Sequence, residues 1–335
     1  MGHDKLRKFA ENETFSCLIQ PSADELLADG FLNLRDHALK GRWAADVFGG
    51  EQPGTGLRSA GSSPSGLTPP PADAGGPPAI DPRVIRPRGA EASSLSAGLQ
   101  SKATAAIVLE LGCGKGEYTL ELARRNPDKC YIGVDIKGAR LWRGAKTATE
   151  EALPNVAFLR TRIEFIGAFF APGEISEIWL TFSDPQMKSE NSRLTSPVFL
   201  ERYRKFLKPG GIVHLKTDSR FLHEYTKAVV AVNGFRLLAC TGDLYGAAST
   251  LRDSIPKEVR EVQTYYESMF LKQGLPITYM AFTIDGDSPV LYPRDPEDFN
   301  SRALRAAEKS RLEHRDSLHF TTHIIGQNGE ESNLL

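Results

Sequence analysis

Cysteine is scarce in this chain. Its 335 residues carry four, Cys17, Cys113, Cys130 and Cys240. None stands in C-x-x-C spacing, which argues against a disulfide framework or a zinc site and suits a reducing compartment. Long apolar runs are missing too: none approaches the ~18 residues that would span a bilayer. The opening MGHDKLRKFAENE lacks the apolar segment of a secretory leader, and Leu6 stands where a myristoylation signal needs Ser or Thr. An excess of charge is also lacking. The formal net charge is -1, so no overall field advertises nucleic acid and any such surface must be a local patch. A soluble cytoplasmic protein without a metal is the expectation, with a monomer as its expected state.

What is present is ordinary for a soluble globular protein. Apolar residues make up 40% and charged residues 25%, enough for a sizeable core. The distribution is uneven. Residues 1–50 mix charge with short apolar groups and read as an N-terminal extension. Residues 51–104 hold nine of the 21 prolines and no aromatic residue. Such a stretch cannot bury enough apolar surface to offset its ordering entropy, and reads as a disordered insertion. Residues 105–285 form the main domain. Residues 286–335 read as a charged, solvated extension, with a possible helix over 297–315.

Within 105–285, apolar and β-branched runs alternate with helical stretches. The runs are Ile107–Leu111, Tyr131–Ile136, Val156–Arg160, Ile178–Phe182 and Ile212–Lys216. The helical stretches are 117–126, 138–151, 195–207 and 219–232, with a short turn near 164–170. Near-continuous apolar strands between helices predict a parallel sheet covered on both faces. Phe235–Cys240, a helix over 257–272 and Ile277–Ile284 follow, and suggest an antiparallel edge.

The stretch Leu109-Glu110-Leu111-Gly112-Cys113-Gly114-Lys115-Gly116-Glu117 joins the first of these strands to the first helix. A dinucleotide fingerprint would require G-x-G-x-x-G, but the third position is Glu117. A carboxylate there would repel a pyrophosphate, which disfavours NAD. Glu110, just before the first glycine, suits a ligand carrying an ammonium or sulfonium group. Asp135 closes the second strand 23 residues after Gly112, the place for accepting ribose hydroxyls. Together Glu110, Gly112, Gly114 and Asp135 read as an S-adenosylmethionine site. The third strand ends at Arg162, where a cofactor contact would come from that residue, its backbone or Glu164. Cys113 reads as a packing residue.

The run Ile178-Trp179-Leu180-Thr181-Phe182-Ser183-Asp184-Pro185-Gln186-Met187-Lys188 is a buried strand ending at a carboxylate, with a lysine four residues on. Methyl transfer from a sulfonium is mainly a matter of alignment and electrostatics. A hydroxyl or amine acceptor would also need a base to take its proton; were the acceptor guanine N7, the lone pair would already be free and no base would be needed. Asp184, bound to the N1–H and N2–H edge, would orient the base and offset its developing charge. Lys188 is placed for a phosphate or base contact. Asp218 closes the next strand with a second carboxylate. Thr264 and Glu267, three apart, would share a helix face and complete the pocket wall.

These segments together resemble the bacterial tRNA (guanine-N7)-methyltransferase family. The matching elements are LELGCGKGEYT at 109–119, IGVDIKGAR at 132–140, EIWLTFSDPQMK at 177–188, RLTSPVFLERYRKFLKPGGIVHLKTDS at 193–219 and VQTYYE at 262–267. The resemblance implies a class I methyltransferase fold: a Rossmann-like, mostly parallel seven-stranded sheet with an antiparallel edge strand and helices on both faces. It implies methylation of the tRNA variable-loop guanosine at position 46. It implies cofactor contacts at Glu110, Asp135 and Arg162, a catalytic carboxylate beside the cofactor at Asp184, and substrate contacts at Lys188, Asp218 and Thr264 to Glu267. The chain departs from the family's Pro-Asp-Pro at Ser183-Asp184-Pro185, and Glu190 to Arg193 occupy the stretch where an Arg-His pair is usual. Lys137, Arg140, Arg143 and Lys146 recur at near-helical spacing, and with Lys5, Arg7 and Lys8 could form a basic patch. Two other readings are a methyltransferase on a different substrate and a non-catalytic RNA-binding relative.

Overall fold

The computed structural model describes residues 3–27, 33–49, 105–246, 255–295 and 298–310. The readings of 51–104 and of the chain beyond 310 lie outside these residues. Eight strands form one sheet, β1 (Leu18–Ile19), β2 (Ile107–Leu111), β3 (Cys130–Asp135), β4 (Val156–Arg160), β5 (Ile175–Thr181), β6 (Leu207–Thr217), β7 (Leu237–Thr241) and β8 (Thr278–Thr283), in the order β1-β4-β3-β2-β5-β6-β8-β7. All neighbours from β1 to β6 are parallel, and β8 lies antiparallel between β6 and β7. The expected mostly parallel architecture is borne out. The eighth strand comes from the N-terminal extension, whose Leu18 and Ile19 pair with Phe158 and Leu159.

Side chains on a strand alternate between faces, and here both faces are apolar. Ile107, Leu109 and Leu111 enter one core with Ile132, Val134, Leu159, Ile178, Leu180, Val213 and Leu215. Val108, Tyr131, Phe158 and Trp179 enter the other. The first core is covered by α6 (Pro197–Arg204) and α7 (Arg220–Val232), the second by α4 (Glu117–Arg125) and α5 (Gly138–Glu150). This double burial explains why the strands read as unbroken apolar runs.

Two expectations need correction. The helix expected over 257–272 is two helices, α8 (Lys257–Glu261) and α9 (Tyr265–Lys272). Thr264 interrupts it by capping α9, its side chain accepting from the Glu267 amide. The C-terminal extension is not simply a solvated face. Val290 and Phe299 are buried in the first core, Leu304 packs against it, and residues 301–310 are helical. The N-terminal extension also packs: α1 (His3–Asn12) lies along α5, with Glu11 accepting from Trp142 Nε1 at 2.6 Å and Asn12 donating to the Gly138 carbonyl at 3.0 Å.

Candidate active site

The chain runs outward from β2 through β3 to β4 on one side and starts again with β5 and β6 on the other. The strand order therefore reverses between β2 and β5, and in open α/β sheets ligands bind beyond the carboxyl ends of the strands at such a point. A cavity of about 330 Å³ lies there. Its walls include Glu110, Gly112 and Gly114 after β2, Thr181 and Phe182 after β5, Asp218 after β6, and Thr264, Tyr266 and Phe270 from α9.

Glu110 is the most buried carboxylate of this wall, at 4% exposure. One oxygen accepts from the Thr119 amide at 2.9 Å and from the Thr119 hydroxyl, and the other accepts from the Thr181 hydroxyl. These partners are neutral. Burial consequently pushes the Glu110 carboxyl up to about 7, against the pull of the threonine hydrogen bonds. A buried carboxylate with only neutral partners is stabilised by a cation brought into the cavity.

The glycine loop leaves room for such a ligand. Gly112 and Gly114 have φ of 81° and 59°, and a Cβ on either would meet nothing within 4 Å. Gly116 differs: a Cβ there would lie 2.5 Å from the Phe158 ring, so this glycine lets the loop and α4 close onto the sheet. Asp135, buried at the end of β3, accepts from the Gly114 amide at 3.0 Å and the Lys137 amide at 2.7 Å. It shapes the loop without lining the cavity itself. Tyr118 lines the cavity, and its hydroxyl is buried with no hydrogen-bond partner among the described residues. A cation-accepting carboxylate, an open glycine cradle and an unpaired hydroxyl together fit S-adenosylmethionine. Cys113 is buried, and burial holds its thiol well above the usual range, as befits a packing residue.

The remaining expected site residues divide. Asp218 and Thr264 line the cavity. Asp218 sits between the end of β6 and Ser219, whose side chain caps α7 by accepting from Leu222 N at 3.1 Å. Asp184 is exposed just beyond β5, outside the cavity lining, and its Oδ1 accepts from the Gln186 amide at 2.8 Å. Lys188 is exposed further along the same loop. Phe182 and Gln186, on either side of Asp184, have φ of 51° and 48°, a conformation that costs a bulky residue about 1–3 kcal/mol.

Two assignments need revision. The Arg162 side chain points to solvent, 3.4 Å from Glu164, and does not reach the cavity. Glu267 is not a wall residue. It is fully buried, paired with Lys216 at 2.8 Å, and accepts from the Tyr245 hydroxyl at 2.6 Å. As the third residue of a capped helix, its side chain turns back under the cap instead of out from the helix face.

Several wall residues escaped the sequence reading. Tyr118, Phe182, Tyr266 and Phe270 supply its aromatic surface. Tyr266 lay in a quoted motif, and Phe182 stood one residue past a strand end, the place where such contacts arise. The two threonines on Glu110 come from 9 and 71 residues away, and the second had no local signal. Glu117, at the rim, accepts from the Tyr265 amide at 3.0 Å and so ties α4 to α9.

Residues 104–279 match the model of a family described as "Putative methyltransferase". The chain is 44% identical over 283 residues to the tRNA (guanine-N(7)-)-methyltransferase of Christiangramia forsetii, covering 84% of this chain and 98% of that protein. The chain belongs to the tRNA (guanine-N7)-methyltransferase family. Its similarity to the Bacteroides thetaiotaomicron enzyme of the same name is 52% identity over 187 residues, 56% of this chain and 72% of that one. Membership matches the cavity: S-adenosylmethionine is the cosubstrate, and the cradle at the β2–β5 reversal fits it.

Proposed function

We propose that this protein methylates guanine N7 in tRNA, at the variable-loop guanosine, with S-adenosylmethionine as methyl donor. The observation that carries the reading is the conjunction of family membership with buried, cation-seeking Glu110 beside the open Gly112–Gly114 cradle. Bound there, S-adenosylmethionine supplies an electrophilic methyl group on a sulfonium. Glu110 holds the cationic methionine end, and Asp135 keeps an accepting lone pair for ribose while fixing Gly114. The strand-three contact falls to the backbone around Arg162, because the side chain is engaged with Glu164.

N7 of guanine needs no base to free its lone pair. Asp184 Oδ1 accepts from the Gln186 amide, and in this reading its remaining lone pair and Oδ2 take the guanine N1–H and N2–H edge. Its negative charge offsets the cation formed on methylation. Asp218 borders the guanine from the cavity side, Thr264 completes that wall and Lys188 meets phosphate. Glu267 acts at one remove, by fixing α9. The cavity is built from one chain, so a monomer suffices. No helix among the described residues is long and apolar enough to cross a membrane, and cytoplasmic tRNA is the substrate of this reading.

The experiment is to incubate the protein with unmodified tRNA and labelled cofactor, then digest to nucleosides. Labelled 7-methylguanosine is expected. Label in a small metabolite but none in tRNA would sink the reading, and absence of cofactor binding by calorimetry would favour a non-catalytic RNA-binding protein.

A further inference from the structure

The loop from Asp184 to Ser192 is held from outside the methyltransferase core by the C-terminal segment. That segment, described over 285–295 and 298–310, is anchored to α6 and α7 by side chain to backbone hydrogen bonds. Arg204 donates to the carbonyls of Ile284 at 2.8 Å and Ser288 at 2.6 Å, and Glu201 accepts from the Val290 amide at 2.7 Å. Asn233 grips Leu291 in both directions, at 2.9 and 2.7 Å. Phe299 then packs edge-on against Phe221 and Tyr225 of α7, with ring centroids 5.5 and 5.7 Å apart.

From this anchored position the segment reaches the loop twice. Arg305 lies over the Phe221 ring at 5.2 Å and donates to the Met187 carbonyl at 2.6 Å. The Tyr292 hydroxyl donates to Asn191 Oδ1 at 2.6 Å. A third hold comes from the residue just past the loop's end. Arg193, buried between Phe221 and Tyr225 at 4.9 and 4.4 Å, donates through Nε to the Pro185 carbonyl at 3.2 Å. Two guanidinium groups thus share the Phe221 ring and fix the carbonyls of Pro185 and Met187. Between these anchors lies Gln186 at positive φ, and beside them stand Asp184 and Lys188. A backbone held away from its preferred conformation persists only where its surroundings over-determine it.

We propose that the C-terminal segment is a positioning device for the substrate-facing loop, with Arg305 and Tyr292 as its contact residues. It rests on the reading of Asp184 and Lys188 as substrate contacts. Neither Arg305 nor Tyr292 lines the cofactor cavity, so cofactor affinity is independent of them. Displacement of Asp184 by a fraction of an ångström is felt in tRNA turnover alone.

The test compares wild type with the double variant Arg305→Ala/Tyr292→Phe in the full chain. The measurements are tRNA methylation kinetics, cofactor affinity and amide exchange. The double variant is expected to lose about 5-fold to 50-fold in kcat/KM for tRNA and to exchange faster across 186–192, with cofactor Kd within twofold of wild type. Arg305→Lys, which still donates to Met187, is expected to recover most of the loss. Arg302→Ala, exposed on the same helix, is expected to match wild type. A folded double variant with unchanged kcat/KM and unchanged exchange overturns the proposal, as does an equal loss of cofactor affinity. If wild type itself makes no 7-methylguanosine, the functional reading fails, and amide exchange across 186–192 alone decides the clamp.

Discussion

Lys216 on β6 and Glu267 on α9 form an ion pair closed off from solvent on both sides, with Nζ 2.8 Å from Oε1. Lys216 also donates to the Val262 carbonyl at 2.9 Å and lies 5.2 Å from the centre of the Tyr118 ring. Burial pushes the lysine's pKa down and Glu267 pulls it back up. The pair fixes the helix that carries the Thr264, Tyr266 and Phe270 wall. Removing one partner of a buried pair leaves an uncompensated charge, which costs about 3–5 kcal/mol. Glu267→Gln and Lys216→Met should each lose stability on that scale in urea unfolding, and the double variant Lys216→Met/Glu267→Leu should regain most of it. Single variants as stable as wild type would show that the pair does not hold α9.

Glu110 predicts a pH dependence. Its carboxyl stands near 7 in the folded protein against an ordinary 4.5. Between those values the folded state keeps a proton that the unfolded chain has released. The cofactor-free protein therefore loses stability as pH rises from about 4.5 through 7, and levels off above. A bound cation favours the carboxylate, so binding at pH 6 should release a proton. Affinity for S-adenosylmethionine should rise about tenfold from pH 6 to pH 8, and Glu110→Gln should flatten that rise. Calorimetry in buffers of different ionisation enthalpy counts the proton; none released at pH 6 would exclude a cation beside Glu110.

Two glycines of one loop should fail differently. Gly116→Ala drives a Cβ toward the Phe158 ring, and overpacking of this kind costs about 1–3 kcal/mol. Its melting temperature should fall. Gly112→Ala meets open space in the protein and pays mainly for its positive φ, but puts a methyl where the ligand approaches. That variant should remain folded and bind cofactor at least tenfold more weakly, on the scale of about 1.4 kcal/mol per factor of ten. Equal cofactor affinity in a folded Gly112→Ala protein would remove the glycine from the cradle.

Asp184→Ala should leave the fold intact, since the side chain is exposed and its one hydrogen bond among the described residues is to the Gln186 amide. Methylation should fall about 10-fold to 100-fold, the scale of the ~1–3 kcal/mol of one bidentate base contact. Full turnover in the folded variant would end its assignment to the guanine edge.

The basic residues of α5 should carry salt-dependent RNA affinity. Arg140 and Arg143 border a second groove of about 600 Å³ that also includes Lys8 and Lys115, and that shares Lys115, Glu117 and Arg140 with the cofactor cavity. Arg143→Ala should weaken tRNA binding and reduce the slope of log affinity against log salt by about 0.7–0.9. An unchanged slope would place the RNA elsewhere.

Much of this was legible in the sequence because strand and glycine signals are local. Apolar runs at β2 to β6 gave the sheet, since these strands are covered on both faces and most of their residues are apolar. Gly112, Gly114, Glu110 and Asp218 reached the cavity because strand ends of a parallel sheet share one edge. The misreadings came where long-range partners decide. Glu267 looks like a helix-surface acid until β6 brings Lys216 beneath it. Arg162 is the local exception: its side chain is exposed at the strand end beside Glu164 and does not line the cavity. The C-terminal extension looks solvated because its anchors, buried Val290 and Phe299 and half-buried Leu304, are widely spaced among charged residues.

The sequence by itself determined the chemistry available: a glycine loop after an acid, carboxylates at successive strand tips, and no metal-ligand spacing. Those follow from residue type and spacing along one strand or turn. Tertiary structure alone decided which groups meet. It brought Thr181 onto Glu110 and closed the carboxyl off from solvent, and that burial raises its pKa against the pull of the hydrogen bond. It put Lys216 under Glu267, and it laid Arg305 across Phe221 onto the loop that carries Asp184. Each of these joins residues far apart in the chain, and only the packing of helices onto a formed sheet brings such residues within reach.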